Sequence, residues 1–364
     1  YENSKSTRGP IISKENIEAV FGKKIRLSAS RADLFSSCRY AYFLRYGLSA
    51  YPREKAEISP IEAGNLMHYV LEKVICRLAE EGSYEENIAL EFTREAVREY
   101  LAENLGNTEK LSGRMKFLLL RIEKTVIAAV LDICRELRSG SFVPSEFELS
   151  FAHDGDLPSL ELKGENSLVS FSGKVDRIDT YEKDGKLYFR VIDYKSGVKH
   201  FSLDETVNGI GMQLLLYMFA LEEMGEKRLG SVPHAAGVMY VPLSKTFSET
   251  RGESPEITKR EGVLLRNFDI IDAMEAGEEK KYIPVSFKKD GSLTASSVVL
   301  TENEFSRIKK RLEDILKRIG DELSLGIIDP NPYSDGNSDS CRWCDYRSIC
   351  AFDEERTDDR KRPL

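Results

Sequence analysis

The dipeptide Asp184-Gly185 separates two strand-like runs, 168–181 and 187–194, and constrains this chain more than any other feature. Asp-Gly is the favoured pair for a two-residue type I′ hairpin turn. Such a turn sets Lys183 against Lys186 and fixes every pairing outward, so Asp176 falls across from Asp193 with Cβ atoms about 5 Å apart. Lys195, two residues beyond Asp193, projects from the same face. Two carboxylates this close repel unless one takes a proton or a cation sits between them, and oxygen ligands suit Mg²⁺ or Mn²⁺. A divalent ion acidifies water and clamps a phosphate oxygen, and the Lys195 ammonium can neutralise charge growing on a phosphate, which together suit phosphodiester hydrolysis. A bare Asp-x-Lys tripeptide would be an ordinary salt bridge on a solvated hairpin. The opposed register and the flanking apolar residues favour a metal site.

Partners for that site lie elsewhere in the chain. Gln213 and Tyr217 are four apart on a helix-forming stretch and share a face, and a Gln on so apolar a helix needs a polar partner. His68, in the run Gly64-Asn65-Leu66-Met67-His68, stands one helical turn before Glu72. A lone histidine on a helix is more often structural, but neutral imidazole is a good metal ligand.

A second metal signal is Cys341-Arg342-Trp343-Cys344, followed by Cys350. Three thiols so close call for a fourth ligand, and sulfur-only sites select zinc or an iron–sulfur cluster, between which spacing does not choose. Cys38, Cys76 and Cys134 are available. Cys76 and Cys134 occupy apolar helix positions and read as packed thiols, whereas Cys38 sits among Arg39, Tyr40 and Tyr42 and suits a site edge. Six cysteines are too few for a disulfide scaffold.

With 364 residues, 41% of them apolar, the chain can bury a full core, and length alone predicts about two domains. A net charge of −8 excludes nucleic-acid binding by bulk positive charge, so any DNA contact is local. No run approaches the roughly 18 apolar residues of a membrane helix and no signal-peptide core is visible, so a cytoplasmic protein is expected. Opening on Tyr1 rather than Met suggests a piece of something longer. There is no Gly-Lys-Ser/Thr tripeptide, hence no Walker A motor.

Periodicity predicts a helix over 30–46 with Ser30 as N-cap and Cys38 in its middle, and a second from Ser59 to about Glu80 with a Ser59/Glu62 capping box. A helical insertion follows over 84–138, interrupted near 106–113, with Phe117, Leu120, Lys124, Ile127, Leu131 and Cys134 along one face. Strands are expected over 142–152, 168–181, 187–194 and 234–242, with a helix over 209–223 between the last two. Residues 244–260 read as a mobile loop, and Asp290-Gly291 as a second hairpin turn. A final helix begins at Thr301, which forms a capping box with Glu304. Its apolar stripe is Phe305, Ile308, Leu312, Ile315, Ile319 and Leu323, and Lys309, Lys310, Lys317 and Arg318 form a solvated face.

The ordered set Gly64-x-x-x-His68, Gly173-Lys174-Val175-Asp176-Arg177-Ile178-Asp179, Ile192-Asp193-Tyr194-Lys195-Ser196-Gly197 and Gln213-x-x-x-Tyr217 resembles the RecB-like nucleases of the PD-(D/E)XK superfamily, with Val175 where the superfamily name has Pro. The resemblance implies that His68, Asp176 and Asp193 bind Mg²⁺ or Mn²⁺, that Lys195 is catalytic, and that Gln213 and Tyr217 support the site. A single cysteine, Cys38, paired with the C-terminal Cys341, Cys344 and Cys350 narrows the likeness to the nuclease region of the AddB family, over nearly the whole chain. It implies a 4Fe-4S cluster on these four thiols, stapling segments some 300 residues apart. Arg39, Tyr42, Arg45, Arg342, Trp343 and Arg347 around it offer charges and stacking faces for single-stranded DNA.

The implied fold is α/β: a restriction-endonuclease-like PD-(D/E)XK core, a mixed β-sheet flanked by helices, with a helical insertion and an iron–sulfur clip joining the N- and C-terminal segments. One nuclease domain is expected over 1–364, divided into a cluster segment (25–58), a helical segment (59–140), a catalytic core (141–243), a loop and hairpin (244–300) and a C-terminal helix with cysteines (301–364). The implied activity is Mg²⁺-dependent exonucleolytic hydrolysis of single-stranded DNA from duplex ends, in recombinational repair of double-strand breaks. The implied partners are the AddA helicase–nuclease and the rest of an AddB chain. A catalytically silent DNA-end clamp is the alternative, against which the intact Asp176, Asp193 and Lys195 argue. An iron–sulfur nuclease of CRISPR adaptation fits less well, because of the long insertion.

Overall fold

The structure, a computed structural model, describes residues 12–52, 60–105, 112–197, 200–243, 259–334, 339–350 and 352. The chain opens with α1 (Lys14–Phe21), β1 (Lys24–Leu27), α2 (Ala29–Ser37), α3 (Arg39–Tyr42) and a π-helical turn, Phe43–Gly47. Three long helices follow: α4 (Pro60–Glu81), α5 (Glu86–Leu105) and α6 (Gly113–Ser139). Next come β2 (Val143–Phe151), β3 (Leu160–Lys163), β4 (Leu168–Phe171), β5 (Gly173–Lys183) and β6 (Lys186–Lys195). Then α7 (Leu203–Val207), α8 (Gln213–Met224) and α9 (Glu226–Leu229) lead to β7 (Pro233–Pro242), β8 (Glu261–Leu265), α10 (Phe268–Met274), β9 (Val299–Leu300) and α11 (Glu302–Ser324). Among the described residues no helix is long and apolar enough to cross a membrane.

A six-stranded mixed sheet in the order β2-β5-β6-β7-β8-β9 carries the centre of the molecule, and a three-stranded sheet, β1-β4-β3, stands beside it. The β5/β6 hairpin turns at Asp184 (φ 53°) and Gly185 (φ 73°), the two positive values of a type I′ turn. Its register runs from Lys183–Lys186 to Arg177–Ile192, as the turn dictates. β6 and β7 are parallel, which requires a crossover, and α8 supplies it. One face of the large sheet packs on α4 and α6 through Val70, Val74, Val130 and Ile133, and α5 packs on those two helices. The other packs on α8 and α11 through Leu215, Phe219, Leu312 and Ile319. α11 has the Thr301/Glu304 capping box, and its six stripe residues are all buried. On its outer face Lys309 pairs with Glu223 at 3.0 Å.

Several expectations need correction. The run 168–181 divides at Ser172, so β4 joins the small sheet and β5 the large one. The helix over 30–46 breaks at Cys38, whose φ of −166° is extended, and its N-cap is Ser28, which accepts from the Arg31 amide. Phe117 and Leu120 are exposed, and α6 turns Ile122, Val126, Val130, Ile133 and Leu137 inward instead, a cleaner helical stripe than the one read from sequence. The crossover helix starts only at Gln213, because Gly209 and Gly211 take positive φ ahead of it. β1, β3, β8 and β9 were not anticipated; they are two to five residues long and too short to show alternation. The Asp290-Gly291 turn closes on a single bridge, Phe287–Leu293, rather than on paired strands. Ser59 of the capping box and residues 244–258 of the loop lie outside the described residues.

Between the large sheet and the helical layer lies a closed set of six charges: Arg177, Arg190, Arg260, Asp132, Glu136 and Asp179. Arg177 grips Asp179 through two bonds of 2.7 and 3.0 Å, and Arg190 reaches the same carboxylate at 2.8 Å. Arg190 also meets Glu136 at 3.2 Å, and Arg260 donates to Glu136 at 2.8 Å and to Asp132 at 2.5 Å. Three cations and three anions balance, so no net charge is buried. Burial alone would favour a neutral Glu136, but Arg260, Arg190 and Arg177 overcome it and lower its pKa from 4.5 to about 2. Replacing Glu136 with Gln leaves three buried guanidinium groups facing two carboxylates, and the expected loss of unfolding free energy at pH 7 is roughly 3–5 kcal/mol by chemical denaturation. Because the folded-state pKa is depressed, the Glu136 contribution is complete above the unfolded value near 4.5 and fades as pH falls towards 2. The parent therefore loses stability faster than E136Q across that interval; parallel curves would contradict this account.

Candidate active site

α4 presents His68 to the edge of the hairpin, where its Nδ1 lies 3.5 Å from Oδ2 of Asp176. The same Asp176 oxygen accepts a 2.7 Å hydrogen bond from the Tyr194 amide, and the Tyr194 ring stands edge-on to His68 at 5.9 Å. Glu148 of β2 completes the group: His68, Glu148 and Asp176 each offer one ligand atom within 4.8 Å of the others. One imidazole nitrogen and two carboxylate oxygens at this spacing fit a single divalent cation of the Mg²⁺ or Mn²⁺ kind. Burial disfavours the imidazolium of His68, but the hydrogen bond and charge of Asp176, with Asp193 and Glu148 behind, raise its pKa above the ordinary value. Burial also raises the Glu148 carboxyl, against the ion pair it makes with Lys174.

Glu148 sits where strand alternation reverses. Its φ is 49°, a left-handed conformation uncommon for a non-glycine residue. On β2, Phe147 packs towards the helical layer and Leu149 towards α8; on β5, Arg177 and Val175 divide the same way on either side of Asp176. Both acids thus occupy a kink shared by two neighbouring strands.

Asp193 continues the hairpin one step beyond the last paired residues, Arg177 and Ile192. It is 2% exposed, with Lys195 Nζ 2.5 Å from Oδ2 and Gln213 Nε2 donating to Oδ1 at 2.8 Å. Lys195 also donates to Gln213 Oε1 at 3.3 Å and lies 5.5 Å over the Tyr240 ring. Gln213 therefore bridges the carboxylate and the ammonium from the first turn of α8. One turn on, Tyr217 packs beneath the hairpin, and burial pushes its phenol up to about 12. A Cβ at Gly173 would meet that ring at 2.4 Å, which explains a glycine three residues before Asp176.

The structure brings together His68, Asp176, Asp193, Lys195, Gln213 and Tyr217, but the carboxylates divide their partners. Asp176 faces His68 and Glu148, and Asp193 faces Lys195 and Gln213. Glu148 was missed. Its neighbour on alternation, Glu146, is a surface partner of Arg228, and no sequence signal separates the two acids.

Cys38, Cys341, Cys344 and Cys350 line one cavity of about 400 Å³. Cys38 enters it from the break between α2 and α3, which the bonds Arg39 N to Asn331 and Tyr333 N to Ser37 hold against the C-terminal segment. Cys134 is fully buried elsewhere, its thiol pushed up to about 12, and Cys76 donates to Glu80. Arg39 is committed to Glu322 and Asp329, and Tyr42 is wholly buried among Phe21, Phe35 and Tyr46, so neither offers a surface to DNA. Arg45 over Tyr51, and Arg342 over the 84%-exposed Trp343, do lie at the surface.

Comparison with known proteins follows the same lines. The AddB-type ATP-dependent helicase/deoxyribonuclease protein of Clostridium botulinum (strain Loch Maree / Type A3) is 31% identical over 361 residues, 94% of this chain and 32% of that protein. Its namesakes from Clostridium kluyveri (strain NBRC 12016) and Bacillus thuringiensis (strain Al Hakam) are each 30% identical, over 93% and 95% of this chain and 31% of their own length. The chain therefore spans about a third of the length of the curated relatives it matches. A family model described as the PD-(D/E)XK nuclease superfamily matches residues 26–351, which takes in the hairpin, the His68 helix and the cysteine cavity alike, and the chain belongs to that superfamily.

Proposed function

We propose that this chain is a divalent-cation-dependent deoxyribonuclease domain that hydrolyses single-stranded DNA phosphodiesters. The observation that carries the reading is the His68, Glu148 and Asp176 ligand set standing beside an ammonium, Lys195, held by Asp193 and Gln213. A bound Mg²⁺ or Mn²⁺ supplies an acidified water and neutralises phosphate charge. His68, Glu148 and Asp176 would hold it, and Asp193, whose carboxylate is engaged by Lys195 and Gln213, would be the further ligand that the family resemblance implies. Lys195 stabilises the negative charge that grows on the phosphate, and Gln213 keeps its ammonium beside Asp193. Tyr217, locked under Gly173, fixes the helix that carries Gln213.

By likeness to the AddB-type helicase/deoxyribonuclease proteins, the domain acts within a helicase–nuclease that processes duplex ends in recombinational repair, beside an AddA-type partner and the rest of its own longer chain. Cys38, Cys341, Cys344 and Cys350 hold a 4Fe-4S cluster that staples the two ends of the domain. All-sulfur donors around a cavity larger than one ion support that reading.

Anaerobically purified protein should cleave single-stranded DNA in Mg²⁺, and EDTA or Asp193→Ala should abolish cleavage. Lys195→Ala should lower the turnover roughly 10²–10³-fold, the range for removing one electrostatic stabiliser. Cleavage that survives EDTA would refute the metal assignment. Cys38→Ser should bleach the visible absorbance of the purified protein and lower its melting temperature, whereas Cys76→Ser should do neither; a parent with bound zinc and no colour would replace the cluster by a zinc site.

A further inference from the structure

The cavity that holds His68, Glu148 and Lys174, about 600 Å³, does not stop at these residues. It runs along α4 past Asn65 and Tyr69 and reaches Tyr100 of α5. Asn65, Tyr69 and Glu72 follow one another at helical spacing, so one stripe of α4 lines its length while the adjacent stripe delivers His68. The rings of Tyr69 and Tyr100 meet at 5.2 Å between centroids and 56° between planes, an open angle rather than a closed stack. The two ends differ in charge. Lys174 and Ser196 lie at the sheet end beside Glu148, with Lys195 next in the chain and Glu72 between the ends, while Glu103 and Glu99 act on Tyr69 at the other against the ammonium of Lys73, 5.7 Å over its ring. A phosphate is repelled by that acidic end. A neutral, flat, polarisable group is not, and aromatic faces take nucleobases of any sequence.

We propose that Tyr69 and Tyr100 form a nucleobase subsite, stacking the base of a nucleotide next to the phosphate held at His68, Asp176 and Lys195. This rests on the nuclease reading and adds to it. The helical segment then supplies part of the substrate site through α5, and the Asn65 amide stands where it can meet the edge of the same base. The phosphate is gripped from the sheet and the base from the helices.

The test measures binding of a fluorescent oligodeoxythymidylate in EDTA by anisotropy, with a single abasic residue moved through each position in turn. In the parent, one position should weaken binding roughly 10-fold when the base is missing, within the span expected for one stacked base. Tyr100→Ala should bind the intact strand about 10-fold more weakly and be indifferent to the abasic residue there, whereas Tyr100→Phe should behave as the parent. Tyr100→Leu, which keeps packing volume without a ring, should match Tyr100→Ala, and thermal melts verify that each variant is folded. A folded Tyr100→Ala that binds as tightly as the parent, or stays equally sensitive to the abasic position, overturns the subsite. Mg²⁺-dependent cleavage by the parent, run alongside, keeps the two readings apart: cleavage without an abasic-sensitive position sinks the subsite alone, and neither cleavage nor binding sinks both.

Discussion

A guanidinium buried with no exposed surface, that of Arg177, ties the reactive edge of the sheet to the layer behind it. Two of its nitrogens hold Asp179, and the third donates to the Tyr194 hydroxyl at 2.9 Å. Tyr194 in turn orients Asp176 through its amide and flanks His68 with its ring. The carboxylate and the imidazole are therefore positioned by charges on the far side of the same two strands. A buried ion pair gains little net stability against an apolar replacement, because desolvation cancels most of the attraction. Its value here is geometric: bidentate and charge-assisted bonds tolerate little displacement. Arg260, which enters just ahead of β8, extends the lattice to α6 and so fastens the helical layer to the sheet.

The turn was legible because Asp-Gly has few alternatives, and one turn determined the pairing of the strands on both sides of it. Gln213 and Tyr217 were legible by helical spacing, and the α11 stripe by a capping box followed by clean periodicity. Glu148 was not, because its role depends on a backbone reversal that side-chain type does not announce. The roles of Arg177 and Asp179 were hidden differently: alternation places them on the face away from Asp176, but only tertiary structure shows that face closed by Glu136 and Arg260. The exposed Phe117 and Leu120 drew the start of the predicted face of α6 off the buried stripe, although Leu131 and Cys134 of the same face do pack inward.

The cysteine region is built on other terms. Around Cys38 only a small apolar cluster forms, with Ala41, Leu44 and Tyr346, and the residues from Cys341 to Cys350 run through turns rather than a helix or strand. Such a segment buries little and must be held by specific ties. Among the described residues such ties include the bonds of Arg39 to Asn331, Tyr333 to Ser37 and Tyr346 to Ala50 and the ion pairs of Arg39 with Glu322 and Asp329, each joining parts of the chain nearly 300 residues apart. Leu34 packs against both this small cluster and the large core that holds Phe35 and Tyr42, so the region is joined to the core through α2.

Ser172 is the sole residue between β4 and β5, strands that belong to different sheets. A joint of one residue has no slack. A single-residue insertion or deletion between Phe171 and Asp176 has no loop to absorb it, and a slip of one position along β5 exchanges the two faces of the strand. Asp176 would then point towards the arginine lattice and Arg177 towards the site. Like the two-residue Asp184-Gly185 turn, this stretch takes substitutions more readily than a change of length, and the spacing from Phe171 to Asp176 is a ruler that sets which face of the strand carries the site.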